Sequence, residues 1–160
     1  MLGSAFFIMV FVRALVPSVE EHPTLLPLTQ THVTSGFGIR LHPILKKRLF
    51  HEGIDFAGKE GSSVMAIGSG RIVYAGPYGG YGNLVVLLHG GEITTHYAHL
   101  SAVKVSVAQI VNKGTLLGIL GGTGRTTGPH LHFELRQKGE PVNPEVAFGN
   151  SLKVAYDEHR

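Results

Sequence analysis

With 160 residues, 43% hydrophobic and 16% charged, the chain has room for one ordinary domain with a real core, and wholesale disorder is excluded. The net charge of +3 and the absence of any nucleic-acid motif set aside a nucleic-acid partner. Zero cysteines exclude disulfides and every thiolate zinc site, so a metal here must be held by histidine and carboxylate.

Ala5 to Val12 is an apolar run broken by Arg13, too short to cross a bilayer, which takes about 20 residues. Residues 1–18 therefore read as a signal segment or a short membrane-associated segment, although no Lys or Arg precedes the run as a positive n-region would require. A start site other than the natural one would also account for it. Residues 19–31, with Pro23 and Pro27, read as a linker, residues 32–147 as the domain, and residues 148–160 as a tail.

Glycine, 22 of the 160 residues, punctuates short Val/Ile/Leu runs, which predicts many short strands, tight turns and no long helix. Thr34 to Arg40 opens the domain as a glycine-punctuated strand or turn. His51 and Asp55 follow, an even four residues apart, so an extended chain sets both on one face. Alone, such a pair also suits a surface hydrogen bond. Val64 to Ile67 and Gly70 to Gly76 read as strands, and Pro77 to Gly82 as a loop rich in glycine and tyrosine. Tyr78 and Tyr81 make that loop a candidate substrate rim, although composition alone equally suits a plain connecting loop. Leu84 to Leu88 and Glu92 to His99 form a hairpin, with His89 a surface residue in its turn. Alternation puts Tyr97 and His99 on one face of the second arm and His96 on the other, so His96 and His99 are not expected to act together.

The stretch Gly128 to Arg136 alternates without a break. Leu131, Phe133 and Leu135 face one way as the wall of a core; His130, His132, Glu134 and Arg136 face the other. Neighbouring imidazoles on a rigid strand suit a metal site, or a ligand beside a proton-transfer group. A surface strand with incidental histidines is the alternative for the pair taken alone.

Taken together, His51-x-x-x-Asp55, Tyr97-Ala98-His99-Leu100-Ser101 and Gly128-Pro129-His130-Leu131-His132-Phe133-Glu134 resemble the lysostaphin-like (LytM-type) zinc metalloendopeptidases that cut peptidoglycan peptides. The Ser35 to Arg40 opening and the Gly139 to Pro144 closing match as well, so the resemblance covers roughly residues 32 to 147. It implies a mainly β fold of antiparallel sheets, with short loops around a narrow groove floored by one Zn2+. It implies that His51, Asp55 and His132 bind that zinc and that His99 and His130 are the catalytic pair, in either order. Tyr78, Tyr81 and Arg40 would meet the substrate. The expected setting is the bacterial envelope, periplasmic or extracellular, with peptidoglycan peptides as partner and the chain acting as a monomer. With about 30 residues ahead of the domain, the expectation is either a minimal enzyme or one whose targeting comes from an envelope partner. Relatives that have lost zinc ligands serve as wall-binding modules that activate a separate amidase, but every expected ligand is present here. The Gly70 to Gly76 and Val111 to Gly118 segments resemble half-barrels of biotinyl and lipoyl carriers, but the lysine those carriers modify is missing.

Overall fold

The computed structural model describes residues 26–41 and 46–148. The expected signal segment and most of the expected tail lie outside those residues. Among the described residues, no helix is long and apolar enough to cross a membrane.

Among the described residues, twelve strands carry the fold: β1 (His32–Ser35), β2 (Gly38–Leu41), β3 (Arg48–His51), β4 (Ile54–Ala57), β5 (Ser63–Met65), β6 (Gly70–Pro77), β7 (Asn83–Leu88), β8 (Ile93–Val103), β9 (Ile110–Val111), β10 (Leu116–Leu120), β11 (His130–Gln137) and β12 (Glu140–Val142). One four-residue helix, α1 (Glu145–Phe148), follows. All pairings are antiparallel. The main sheet runs β1-β4-β11-β8-β7-β6-β9, with β12 beside β11 and β10 joining β5 to β8. β2 and β3 form a separate two-stranded sheet. The mainly β expectation holds, and a single turn of 3-10 helix over Gly79–Tyr81 shapes the glycine-tyrosine loop.

Alternation along the central strands separates core from site. Ile54 and Phe56 of β4, Tyr97 of β8, and Leu131 and Phe133 of β11 are fully buried on one side. There Phe133 meets Tyr97, Phe148 and Phe56 at ring-centroid distances of 5.3, 5.2 and 6.3 Å. Each buried side chain of this size contributes about 1.5–3 kcal/mol through removal from water. The same strands turn Asp55, His132, Glu134 and His96 to the other side, because neighbouring residues on a strand point to opposite faces. Register completes the match, since His132 stands opposite Asp55 on β4 and opposite Ala98 on β8.

The core takes in residues at both edges of the expected domain. Leu28, within the stretch read as linker, is buried at 3% exposure, and Phe148, at the start of the expected tail, at 0%. Pro27 O accepts a hydrogen bond from Met65 N.

Glycine is required at position 53. A Cβ there would lie 2.3 Å from Phe133 O and 3.0 Å from His132 Cε1. Gly53→Ala is therefore expected to cost about 1–3 kcal/mol, the usual range for overpacking a tight site. Urea unfolding of the two chains measures it, and an unchanged midpoint would show that β4 and β11 yield freely at this point.

Candidate metal centre and its groove

His51 ends β3 and Asp55 sits within β4, so no single strand carries both. The chain passes from the small sheet to the large one at Glu52–Gly53. Even spacing thus anticipated the convergence, but the bend at Gly53 produces it. Asp55 Oδ1 lies 3.1 Å from His51 Nε2 and 2.9 Å from His132 Nδ1, and these two nitrogens are 3.1 Å apart. Ligand atoms of all three residues fall within 4.8 Å of one another.

The far atoms of these side chains are also held. His51 Nδ1 donates to Gly36 O at 2.7 Å, and because a carbonyl only accepts, Nε2 is left as the lone-pair nitrogen. His132 Nε2 donates to Glu134 Oε1 at 2.9 Å, which frees Nδ1 in the same way. Arg40 Nη2 donates to Asp55 Oδ2 at 3.3 Å, leaving Oδ1 toward the imidazoles. Two imidazole lone pairs and one carboxylate oxygen aimed at a common point suit a divalent cation with positions left open to the groove.

The charge balance agrees. Burial disfavours the Asp55 carboxylate, but contacts with His132 and His51 override it and hold the group far below the usual carboxylate range. At His132 burial opposes the charged form, and Asp55 and Glu134 override it to lift the imidazole to about 9. A cation taking the Nδ1 lone pair displaces that proton, so metal uptake releases it.

His99 and His130 form a second pair, with ring centroids 4.8 Å apart. His99 Nδ1 donates to Thr123 O at 2.8 Å, and His130 Nδ1 donates to Gly128 O at 2.9 Å. Each therefore offers its Nε2 as the free nitrogen, and that of His130 lies 3.7 Å from Asp55 Oδ1. Burial depresses His99 to about 4, which keeps its imidazole neutral near pH 7.

Alternation misplaces one residue here. It puts His99 on the face of Tyr97, which is the core side, yet His99 reaches the site side with His130 and His132. The cause is a bulge: His99 has φ of +61°, and the β7–β8 register shifts between Val85–Tyr97 and Asn83–Leu100. His96 and His99 thus turn to the same side after all. His89 also departs from its expected surface role, since it is half-buried and bridges Ser69 O at 2.9 Å and Thr95 Oγ1 at 2.8 Å.

The groove over these groups has a volume of about 470 Å³. Tyr78, Tyr81 and Arg40, the expected substrate contacts, all line it. Tyr78 is exposed at 54%, but the Tyr81 hydroxyl is committed to Glu134 and the Arg40 guanidinium to Asp55. Glu134, Thr123 and Gly36 received no role in the sequence reading. Only the inward alternation of Glu134 could have flagged it.

Residues 49–144 match the family model described as Peptidase family M23. The chain belongs to peptidase family M23. It is 48% identical over 118 residues to the DD-carboxypeptidase/endopeptidase Mpg of Neisseria meningitidis, covering 74% of this chain and 27% of that protein. With the peptidoglycan DD-endopeptidase ShyA of Vibrio cholerae, identity is 45% over 104 residues, covering 65% of this chain and 24% of that protein. The catalytic domain of lysostaphin from Staphylococcus simulans superposes with a TM-score of 0.65 at 34% identity, covering 76% of this chain and 91% of that one. The chain spans about a quarter of the length of the first two relatives. M23 membership accounts for the His-Asp-His group, since the family is one of metallopeptidases.

His96, the other histidine of β8, supplies a pH test. Burial holds His96 at about 4, against 6.5 for the free side chain. Above pH 6.5 it is neutral in folded and unfolded chains alike. As pH falls from 6.5 through 4 the unfolded chain takes up the proton first, so stability is lost in that window. Replacing His96 by Asn is expected to remove on the order of 2 kcal/mol of this acid sensitivity. Guanidinium unfolding of both chains at pH 7 and pH 4 measures it, and equal losses in the two would contradict it.

Proposed function

We propose that the chain is a zinc-dependent endopeptidase that hydrolyses peptide cross-links or stem peptides of bacterial peptidoglycan. The observation that carries this reading is the convergence of His51, Asp55 and His132 beside the His99–His130 pair at the base of one open groove. The names of the M23 relatives point to the same substrate. One zinc ion per chain would be held by His51 Nε2, Asp55 Oδ1 and His132 Nδ1. When bound, it supplies Lewis acidity that polarises the scissile carbonyl and brings a water's pKa near neutrality.

The protein's own groups do the rest. His99, neutral and anchored through Nδ1 to Thr123 O, accepts a proton at Nε2 and returns one to the leaving amine. His130, anchored through Nδ1 by Gly128 O with its Nε2 3.7 Å from Asp55 Oδ1, is the second group of the pair; with a proton on Nε2 as well, it donates to the developing oxyanion. Tyr78 at the rim meets the peptide, and Arg40 and Tyr81 border its path. The reading places the protein in the periplasm or elsewhere in the bacterial envelope, acting as a monomer.

Digestion of purified peptidoglycan, read by mass spectrometry of the released muropeptides, tests the proposal. The expected result is loss of peptide cross-links with glycan strands intact, abolished by a chelator and restored by zinc. His132→Ala should be inactive, and His99→Ala should lose about 10²- to 10⁴-fold in kcat. A folded, zinc-loaded chain that leaves every wall type uncut would move the amidase-activating binding module to the front.

A further inference from the structure

Glu134 is a carboxylate with 0% exposure, on the strand that carries the expected catalytic and metal-binding histidines. Its partners account for both oxygens. Oε1 accepts from His132 Nε2 at 2.9 Å and from the Tyr81 hydroxyl at 2.8 Å. Oε2 accepts from Arg136 Nε at 2.6 Å and lies 3.7 Å from His96 Nδ1. Arg136 is held in turn by the Glu52 carboxylate and by Gly139 O. Such a network is a poor stability device, because a buried ion pair is often matched or bettered by apolar side chains of similar volume. Stability therefore gives no reason to bury a charge here.

Its geometry does. With Nε2 tied to Glu134, the His132 ring has one orientation and one tautomer that leave Nδ1 toward Asp55 and His51. Turning the ring over would set carbon against the carboxylate. Space is tight as well, since a Cβ on Gly53 would come within 3.0 Å of both Glu134 Cγ and His132 Cε1. Tyr81, expected at the substrate, spends its hydroxyl on Glu134 and stands with its ring 5.8 Å from that of His132.

We propose that Glu134 is a positioning residue that orients His132 for the metal, and that Tyr81 and Arg136 serve the site by fixing Glu134. This rests on the reading of His132 as a zinc ligand. Behind that ligand stands a fixed negative charge, which makes the imidazole a better donor and offsets the charge of the cation.

The experiment compares the full chain with Glu134→Gln, Tyr81→Phe and His132→Ala, using zinc affinity by competition with a chromogenic chelator and the visible absorption of the Co2+-loaded protein. Glu134→Gln keeps the size and removes the charge; it is expected to weaken zinc binding on the order of 10- to 100-fold and to alter the Co2+ spectrum. Tyr81→Phe leaves the carboxylate in place and is expected to weaken binding by a smaller factor in the same direction. It also decides the matter if Glu134→Gln does not fold. Folded variants of both with native zinc affinity and an unchanged Co2+ spectrum, beside a large loss in His132→Ala, overturn the positioning role alone. A lowered melting temperature with native affinity overturns it equally, as a merely structural role would. Native affinity in His132→Ala removes the ligand reading and the inference with it.

Discussion

The site depends on one carboxylate lying between two imidazoles. Asp55 is 8% exposed, and a lone carboxylate at that depth would be costly to charge. Contacts of 3.1 and 2.9 Å to His51 and His132 stabilise its charged form, while Arg40 holds its other oxygen. Remove the carboxylate, and two imidazole nitrogens 3.1 Å apart face one another with nothing between them. A divalent cation satisfies the same geometry with more charge, which is why this arrangement reads as a metal centre.

Three separate parts of the fold deliver those groups. β3 belongs to the two-stranded sheet, whereas β4 and β11 are neighbours in the large one. Pairing of β4 with β11 is backed by the Phe56, Phe133 and Phe148 rings on the reverse side, so the relative position of Asp55 and His132 is set by the core. His51 ends a small sheet whose Ile39, Leu41, Leu49 and Phe50 are exposed. It is located by Gly36 O and by the Asp55 contact itself. The Ser35 to Arg40 opening therefore acts at the site, through Gly36 on His51 and through Arg40 on Asp55.

The second tier of groups decides what the first can do. Carbonyl acceptors at Gly36, Thr123 and Gly128 each take the Nδ1 hydrogen of an imidazole and leave its Nε2 free, whereas Glu134 takes the Nε2 hydrogen of His132 and frees Nδ1. Each of these four histidines thus turns a defined nitrogen toward the site without relying on solvent. The buried Glu134–Arg136 pair makes little sense as a source of stability and good sense as a fixed support for His132.

Much of this was legible in the residues before any coordinates. Unbroken alternation from His130 to Arg136 separates core from site on β11, since a strand repeats every two residues. Absence of cysteine restricts any metal to His and carboxylate, and the motif resemblance named the groups that could hold it. The rest was decided in three dimensions. A bulge at His99 moves that residue from the core side to the groove, and bulges interrupt the two-residue repeat on which a face assignment depends. Tyr81 and Arg40 line the groove, but their polar atoms turn to Glu134 and Asp55, 53 and 15 residues away in sequence. Local pattern reports which side of a strand a residue takes. Hydrogen-bond partners 53 residues apart, as Tyr81 and Glu134 are, exist only once the sheet has closed.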